Sequence, residues 1–198
     1  MMKQEDRKRI YILRHCRTSF NVDGRISGGE DVPILKGNVE LPGENRQLKN
    51  YIIITSPLTR CLQTVRIFQK SNAEPAFDII SDSRLVERNM GDMTGHYRKD
   101  MLEKYPKYFF QNRKFNPLLT PPNGESFPEF SSRVSQFIVD LEKWLKECDK
   151  NIMICSHNQT LKMFYALAYR EEVQEIWGKV NFANGKVVPL EDAETMIS

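Results

Sequence analysis

Three short runs constrain this chain more than any other feature: RIYILRH, YIIITS and NIMICSH, each apolar and rich in β-branched residues, each stopping abruptly at polar ones. Runs of this length without apolar–polar alternation belong to strands buried on both faces, which calls for a largely parallel sheet covered by helices. Helical patterns lie between them. Across 125–149, Phe130, Val134, Phe137, Ile138, Leu141, Trp144 and Leu145 recur at helical spacing and define one core-facing stripe. A second helix is predicted from Ser56-Pro57, with Ser56 as N-cap, proline at the first helical position, and Leu58, Leu62, Val65 and Phe68 turned inward. A third follows SHNQT, with Leu161, Phe164, Tyr165 and Leu167 as its apolar side. The alternation predicts an α/β domain of three layers, α/β/α, with a mostly parallel central sheet and right-handed crossovers. Residues 78–85 predict another strand, and 179–190, with Asn184-Gly185 at their centre, a hairpin at the sheet edge.

The 198 residues show no internal repeat and no linker, so one domain over 1–198 is expected. A net charge of +3 is too small and too scattered for a nucleic-acid partner, though it permits a small anionic ligand. No stretch reaches the roughly 18 apolar residues that a membrane helix requires. The start, MMKQEDRKR, has no apolar signal segment, so a cytoplasmic protein is expected. Cys16, Cys61, Cys148 and Cys155 form no C-x-x-C pair, which argues for reduced thiols rather than a zinc knuckle or a disulfide framework. Residues 24–50, with five glycines and two prolines, read as loop with at most a short helix, and the Pro-rich 113–124 separates two helices. The oligomeric state is left open, a homodimer included.

The three runs end in residues that carry chemistry. The first delivers Arg14-His15. The second delivers Thr55-Ser56-Pro57, with Arg60 in the first turn of the next helix, and the third Ser156-His157 leading into a helix. Ligands of open α/β sheets bind beyond the carboxyl ends of the strands. Two arginines, two histidines and two helix N-termini therefore converge where a phosphate or another compact oxyanion would sit. Each residue alone has an ordinary reading, such as a histidine packed in a core; their joint placement points to an anion site.

Cys16 beside His15 raises a second possibility, because thiolate phosphatases carry an arginine six residues after a His-Cys pair so that the loop can wrap the phosphate. Six places on from Cys16 stands Val22, and the next arginine is Arg25. The spacing fails, and Cys16 reads as a small packing residue.

Five segments, in order, resemble the histidine phosphatase superfamily, which includes the cofactor-dependent phosphoglycerate mutases. LRHCRTSFN resembles its R-H-G-[EQ]-[ST]-x-x-N signature, TSPLTRCLQT its S-P-L-x-R-x-x-Q-T, and LVERNMGDMTG its L-x-E-x-x-x-G-x-x-x-G. PPNGES resembles its P-x-G-E-S and ICSHNQTLK its V-x-H-G-x-x-[LI]-R, so the likeness spans Ile10 to about Arg170. The resemblance implies a core over 10–170 with a substrate-specificity insertion at 92–124. It also implies a phosphatase that hydrolyses a small phosphomonoester through a phosphohistidine on His15, with Glu87 protonating the leaving oxygen and then activating water. Arg14, Arg60 and His157 would hold the phosphoryl group, and Asn21, Ser27 and Asn158 would help orient the nucleophile or contact phosphate or substrate. No metal and no cofactor is implied, since the arginines supply the positive charge. The implied partner is a small phosphorylated substrate, with neither nucleic acid nor membrane.

The chain departs from the family pattern around the site. Cys16 and Asn158 stand where glycine is usual, Arg17 where an acidic residue or glutamine is usual, and Thr94 where glutamate is frequent. Lys36 to Asn50 is too short and too broken by proline and glycine for the amphipathic helix usually found there, so an abbreviated first crossover is expected. Two alternatives to hydrolysis stand beside it: a mutase, in which substrate recaptures the phosphoryl group, and a non-catalytic phospho-ligand binder. Specificity is expected from 96–124, where His96, Lys99, Lys104, Arg113 and Lys114 could receive an extended anionic substrate.

Overall fold

The computed structural model describes residues 2–36, 48–72, 75–76 and 78–196. The three apolar runs become β1 (Ile10–Arg14), β2 (Tyr51–Thr55) and β4 (Asn151–Ser156). With β3 (Ile79–Ser81) and β5 (Val187–Pro189) they form one sheet in the order β3-β2-β4-β1-β5. All pairings are parallel except that of β5 with β1. Helices α1 (Gln4–Arg7), α2 (Ser19–Asp23), α3 (Thr59–Ser71), α4 (Arg98–Lys104), α5 (Phe127–Glu147), α6 (Asn158–Tyr169) and α7 (Val173–Lys179) complete the domain. No helix among the described residues is long and apolar enough to cross a membrane.

Burial on both faces explains why the strand runs are unbroken. Along β4 the residues alternate: Ile152 and Ile154 enter a large core with α5 and α6, while Met153 and Cys155 enter a second core with Cys61, Val65 and Phe68 of α3. Strands β1 and β2 alternate in the same way, Ile12 and Ile54 to the first core, Leu13 and Ile53 to the second. α5 begins in a reciprocal cap, Ser126 accepting from Glu129 N–H while the Glu129 side chain accepts from Ser126 N–H. It buries Phe130, Val134, Phe137, Ile138, Leu141 and Leu145, as its periodicity predicts. Each such side chain stabilises the fold by about 2 kcal/mol relative to exposure.

Three local expectations are corrected. The C-terminal hairpin does not form: β5 is a single antiparallel edge strand, because the backbone of its would-be first arm bonds elsewhere. Phe182 O accepts from Arg14 Nη1, Phe182 N–H donates to Asn158 Oδ1, and Gly185 N–H donates to Arg14 O. Helix α3 starts at Thr59 rather than at Pro57; Ser56 Oγ accepts from Leu58 N–H, and the Asp31 carboxylate takes Thr59 N–H at 2.7 Å. The strand expected over 78–85 stops at Ser81, since Asp82 accepts from Arg84 N–H and turns the chain into a short 3-10 turn, Ser83–Leu85. Most of 36–50, where the first crossover was expected to be short, lies outside the described residues.

Candidate active site

Sheet order creates the site. Strand β4 sits between β1 and β2, so the chain leaving β1 parts from the chain leaving β2, the position where open α/β sheets leave a crevice. The ends are in register, Arg14 opposite Ser156 and Thr55 opposite Cys155. His15 N–H then continues the ladder to Ser156 O at 3.0 Å, and Ser56 N–H to Cys155 O at 3.0 Å. The rings of His15 and His157 come to 5.2 Å between centroids.

Hydrogen bonds fix which nitrogen carries each proton. His15 is 4% exposed, and its Nδ1 lies 2.7 Å from Cys16 O, an acceptor only, so Nδ1 is the protonated nitrogen and Nε2 keeps its lone pair. Burial, then the charges of Arg14 and Arg60, push its pKa down to about 3, so the ring is neutral at neutral pH. His157 is fully buried and also held neutral, by burial and by Arg60. Arg60 Nε donates to its Nδ1 at 3.1 Å, which leaves Nε2–H to donate to Ser56 Oγ at 2.8 Å. Arg60 further donates to Glu30 O at 2.5 Å and Gly28 O at 3.1 Å, leaving two of its five N–H groups free. Arg14 gives one N–H to Phe182 O at 2.7 Å, while its buried Nε has no partner. Burial lowers its pKa to about 10, so it stays charged.

Glu87 reaches this corner from the segment after the 3-10 turn. Its carboxylate accepts from Gln159 N–H at 3.3 Å and Thr160 N–H at 3.2 Å, at the N-terminus of α6. No side chain of the N-cap residue His157 performs that task, so Glu87 caps the helix from a distance. Next to it, fully buried Arg88 donates to Pro117 O at 2.7 Å, Leu119 O at 2.9 Å and Glu125 O at 3.0 Å. The Pro-rich loop is thus tied to the residue adjoining Glu87. Sequence reasoning missed Arg88, whose charge resembles that of any solvated loop arginine.

The structure gathers Arg14, His15, Arg60, Glu87 and His157 at one end of the sheet, and not every other candidate joins them. Asn21 works locally, its Oδ1 accepting from Thr18 N–H as the reciprocal cap of α2. Ser27 is half-buried, in the loop whose Gly28 carbonyl holds Arg60. Asn158 opens α6 and accepts from Phe182 N–H. Cys16 is buried in the second core, where burial raises its pKa and disfavours a thiolate, and its N–H donates to Thr64 Oγ1. Arg17 and His96 are exposed. Among the described residues, no three His, Cys, Asp or Glu side chains group as a metal site needs.

Two clefts open beside these residues. One, of about 880 Å³, borders Glu87 and is acidic, with Glu30, Glu125 and Glu129 in its walls; its one cation, Arg133, is paired to Glu125 at 2.6 Å. The other, of about 250 Å³, begins at Asn158 and Gln159 and contains four cations and no carboxylate.

The fold and this corner define an α/β domain that collects a histidine pair and two arginines at the carboxyl ends of parallel strands. The chain belongs to the histidine phosphatase superfamily (branch 1), whose family model matches residues 10–195. It is 26% identical over 157 residues to a 2,3-bisphosphoglycerate-dependent phosphoglycerate mutase 2 of Gloeobacter violaceus, covering 77% of this chain and 72% of that one. It is 27% identical over 196 residues to a metal-independent phosphoserine phosphatase of Arabidopsis thaliana, covering 95% of this chain and 79% of the relative. A mycobacterial glucosyl-3-phosphoglycerate phosphatase bound to VO3 shares the fold, with a TM-score of 0.71 at 19% identity over 90% of each chain.

Proposed function

We propose that the protein is a phosphatase of small phosphomonoesters that works through a phosphohistidine on His15. The observation that carries the reading is the protonation pattern of His15: neutral, with Nδ1–H bonded to Cys16 O and an unencumbered Nε2 among the charges of Arg14 and Arg60. Nε2 attacks phosphorus, the ester P–O bond breaks, and Glu87 in its acid form gives its proton to the leaving oxygen. The cationic charge that then develops on the imidazole is shared with the Cys16 carbonyl through Nδ1–H. Water next attacks phosphorus, Glu87 as carboxylate takes the water proton, the P–N bond breaks and His15 returns to its neutral form. Arg14 Nε and the free N–H groups of Arg14 and Arg60 face the charge on the phosphoryl oxygens. In this arrangement His157, whose nitrogens are both engaged, acts by orienting Arg60.

Phosphate release across a panel of phosphorylated metabolites, with His15→Ala as the blank, tests the reading. Release by the wild type alone, together with an acid-labile and base-stable phospho-label that the variant lacks, supports it. The likeness to a phosphoglycerate mutase keeps one competitor. Rapid interconversion of phosphoglycerate isomers with negligible phosphate release would replace hydrolysis by transfer.

A further inference from the structure

Strand β1 ends at Arg14, yet His15 and Cys16 beyond it are buried, so their backbone groups need partners. The peptide unit joining Arg14 to His15 finds them in backbone on both sides. Arg14 O accepts from Gly185 N–H at 2.9 Å, and His15 N–H donates to Ser156 O at 3.0 Å. The next unit, joining His15 to Cys16, is held instead by two side chains from distant parts of the chain. His15 O accepts from Asn184 Nδ2 at 2.7 Å, and Cys16 N–H donates to Thr64 Oγ1 at 2.8 Å. Because the C=O and N–H of a trans peptide point in opposite directions, Asn184 and Thr64 grip this unit from opposite sides. Thr64 is fully buried in α3, and its hydroxyl proton is committed to Arg60 O at 2.7 Å, which leaves a lone pair for the Cys16 amide. It therefore ties the turn that carries Arg60 to the backbone of the nucleophile.

The consequence appears one residue along. His15 Nδ1–H donates to Cys16 O, and that bond is what leaves Nε2 bare. If the His15–Cys16 peptide turned, the Cys16 carbonyl would swing with it and Nδ1–H would lose its acceptor. The neutral ring would then be free to carry its proton on Nε2, where no lone pair remains to attack phosphorus. We infer that Thr64 and Asn184 are positioning residues that clamp the His15–Cys16 peptide and so hold the nucleophile in its Nδ1–H tautomer. The inference rests on the proposed chemistry at His15. Both residues act through His15, and neither is asked to touch the phosphoryl group.

A merely structural role for the two side chains, that of satisfying two buried backbone groups, would affect stability without moving a proton on the imidazole. The molecule supplies its own reference for the difference. His157 is held in the opposite tautomer, with Nε2–H, because Arg60 Nε donates to its Nδ1. Asn184 makes no part of that arrangement, so its loss should disturb one histidine and spare the other.

Long-range proton–nitrogen correlation spectra of the full-length protein at neutral pH read the tautomer of each ring, and with three histidines in the chain a His15→Asn protein identifies the His15 signals. Wild type should show His15 protonated on Nδ1 and His157 on Nε2. In Asn184→Ala, a half-buried position, and in Thr64→Val, which keeps the shape and loses the hydroxyl, the His15 signals should move to a mixture of tautomers. On the ester that wild type hydrolyses best, kcat should fall about tenfold or more. KM should stay within about threefold, and Thr64→Ser, which keeps the hydroxyl, should restore both the tautomer and kcat. Should Thr64→Val melt below the assay temperature, Asn184→Ala carries the test. A His15 that keeps its Nδ1 proton in the variants, whether or not kcat falls, would overturn the inference, as would a change confined to KM. The tautomer is read without turnover, so the two readings fail separately. A protein that hydrolyses no ester but whose His15 responds as stated loses the proposed chemistry and keeps the clamp. One that turns over and ignores both substitutions loses the clamp alone.

Discussion

At the scale of single residues, the histidines are the most informative groups, because the environment that makes His15 a competent nucleophile also makes it sensitive to acid. Burial and the neighbouring arginines push its pKa down to about 3, and the same causes lower that of His157. In the unfolded chain a histidine titrates near 6.5. Between about pH 6.5 and about pH 3 the unfolded chain therefore binds protons that the folded chain refuses, so stability is complete above this window and falls as the pH drops through it. Thermal melts of wild type should lose more between neutral and mildly acid pH than melts of His15→Asn. Parallel curves would show that His15 is not held neutral by the fold. The adjacent Cys16 makes a second test at this scale. Its thiol packs in the second core and its pKa is raised, so Cys16→Ala should keep phosphate release within a few-fold of wild type. Arg14→Ala, by contrast, should lose about 10²-fold or more in kcat. A Cys16→Ala protein as inactive as His15→Ala would return the thiol to candidacy.

At the scale of elements, the Pro-rich loop is held by two devices of different kinds. Arg88 satisfies two of its carbonyls, those of Pro117 and Leu119, and that of Glu125 just beyond it, from a fully buried position, and Gly91 lets the loop approach closely. Gly91 has φ +52°, and a Cβ there would lie 2.0 Å from Pro122 O and 2.5 Å from Gly124 N. Gly91→Ala must therefore move backbone and should cost about 2 kcal/mol or more. Arg88→Met, which leaves buried carbonyls unpaired, should cost about 3 kcal/mol or more. Chemical denaturation measures both, and a Gly91→Ala protein as stable as wild type would disprove the close approach. The contrast between these two residues shows what a sequence discloses. Gly91 falls in a recognisable L-x-E-x-x-x-G pattern, whereas Arg88 satisfies carbonyls some 30 residues away, partners that no local periodicity encodes. The missing hairpin has the same origin: Asn184-Gly185 looks like a turn, but Asn184 Nδ2 donates to His15 O at 2.7 Å, a bond across the whole chain.

At the scale of the molecule, the strands were legible because burial on two faces leaves a continuous apolar run, and their carboxyl ends were legible as a site because parallel strands point one way. The order of the strands was not legible, since nothing in a β-branched run states its neighbours; that order places β4 between β1 and β2 and brings His157 beside His15. It also sets a gradient of stability. Strand β4 is paired on both sides, and Ile152 to Cys155 are fully buried on both faces. Strand β3 has three residues and one neighbour, and Ile79 and Ile80 are 45% and 37% exposed. Local opening should therefore release β3 amides first, while those of β4 exchange only when the whole domain unfolds. In native-state hydrogen exchange across a series of low denaturant concentrations, the apparent opening free energy of Met153 and Ile154 should equal that of global unfolding. Amides of Ile79 and Ile80 should open at a free energy independent of denaturant. If β4 amides instead exchanged through a local opening, the sheet would not be one cooperative unit, and the two histidines could separate without the fold being lost.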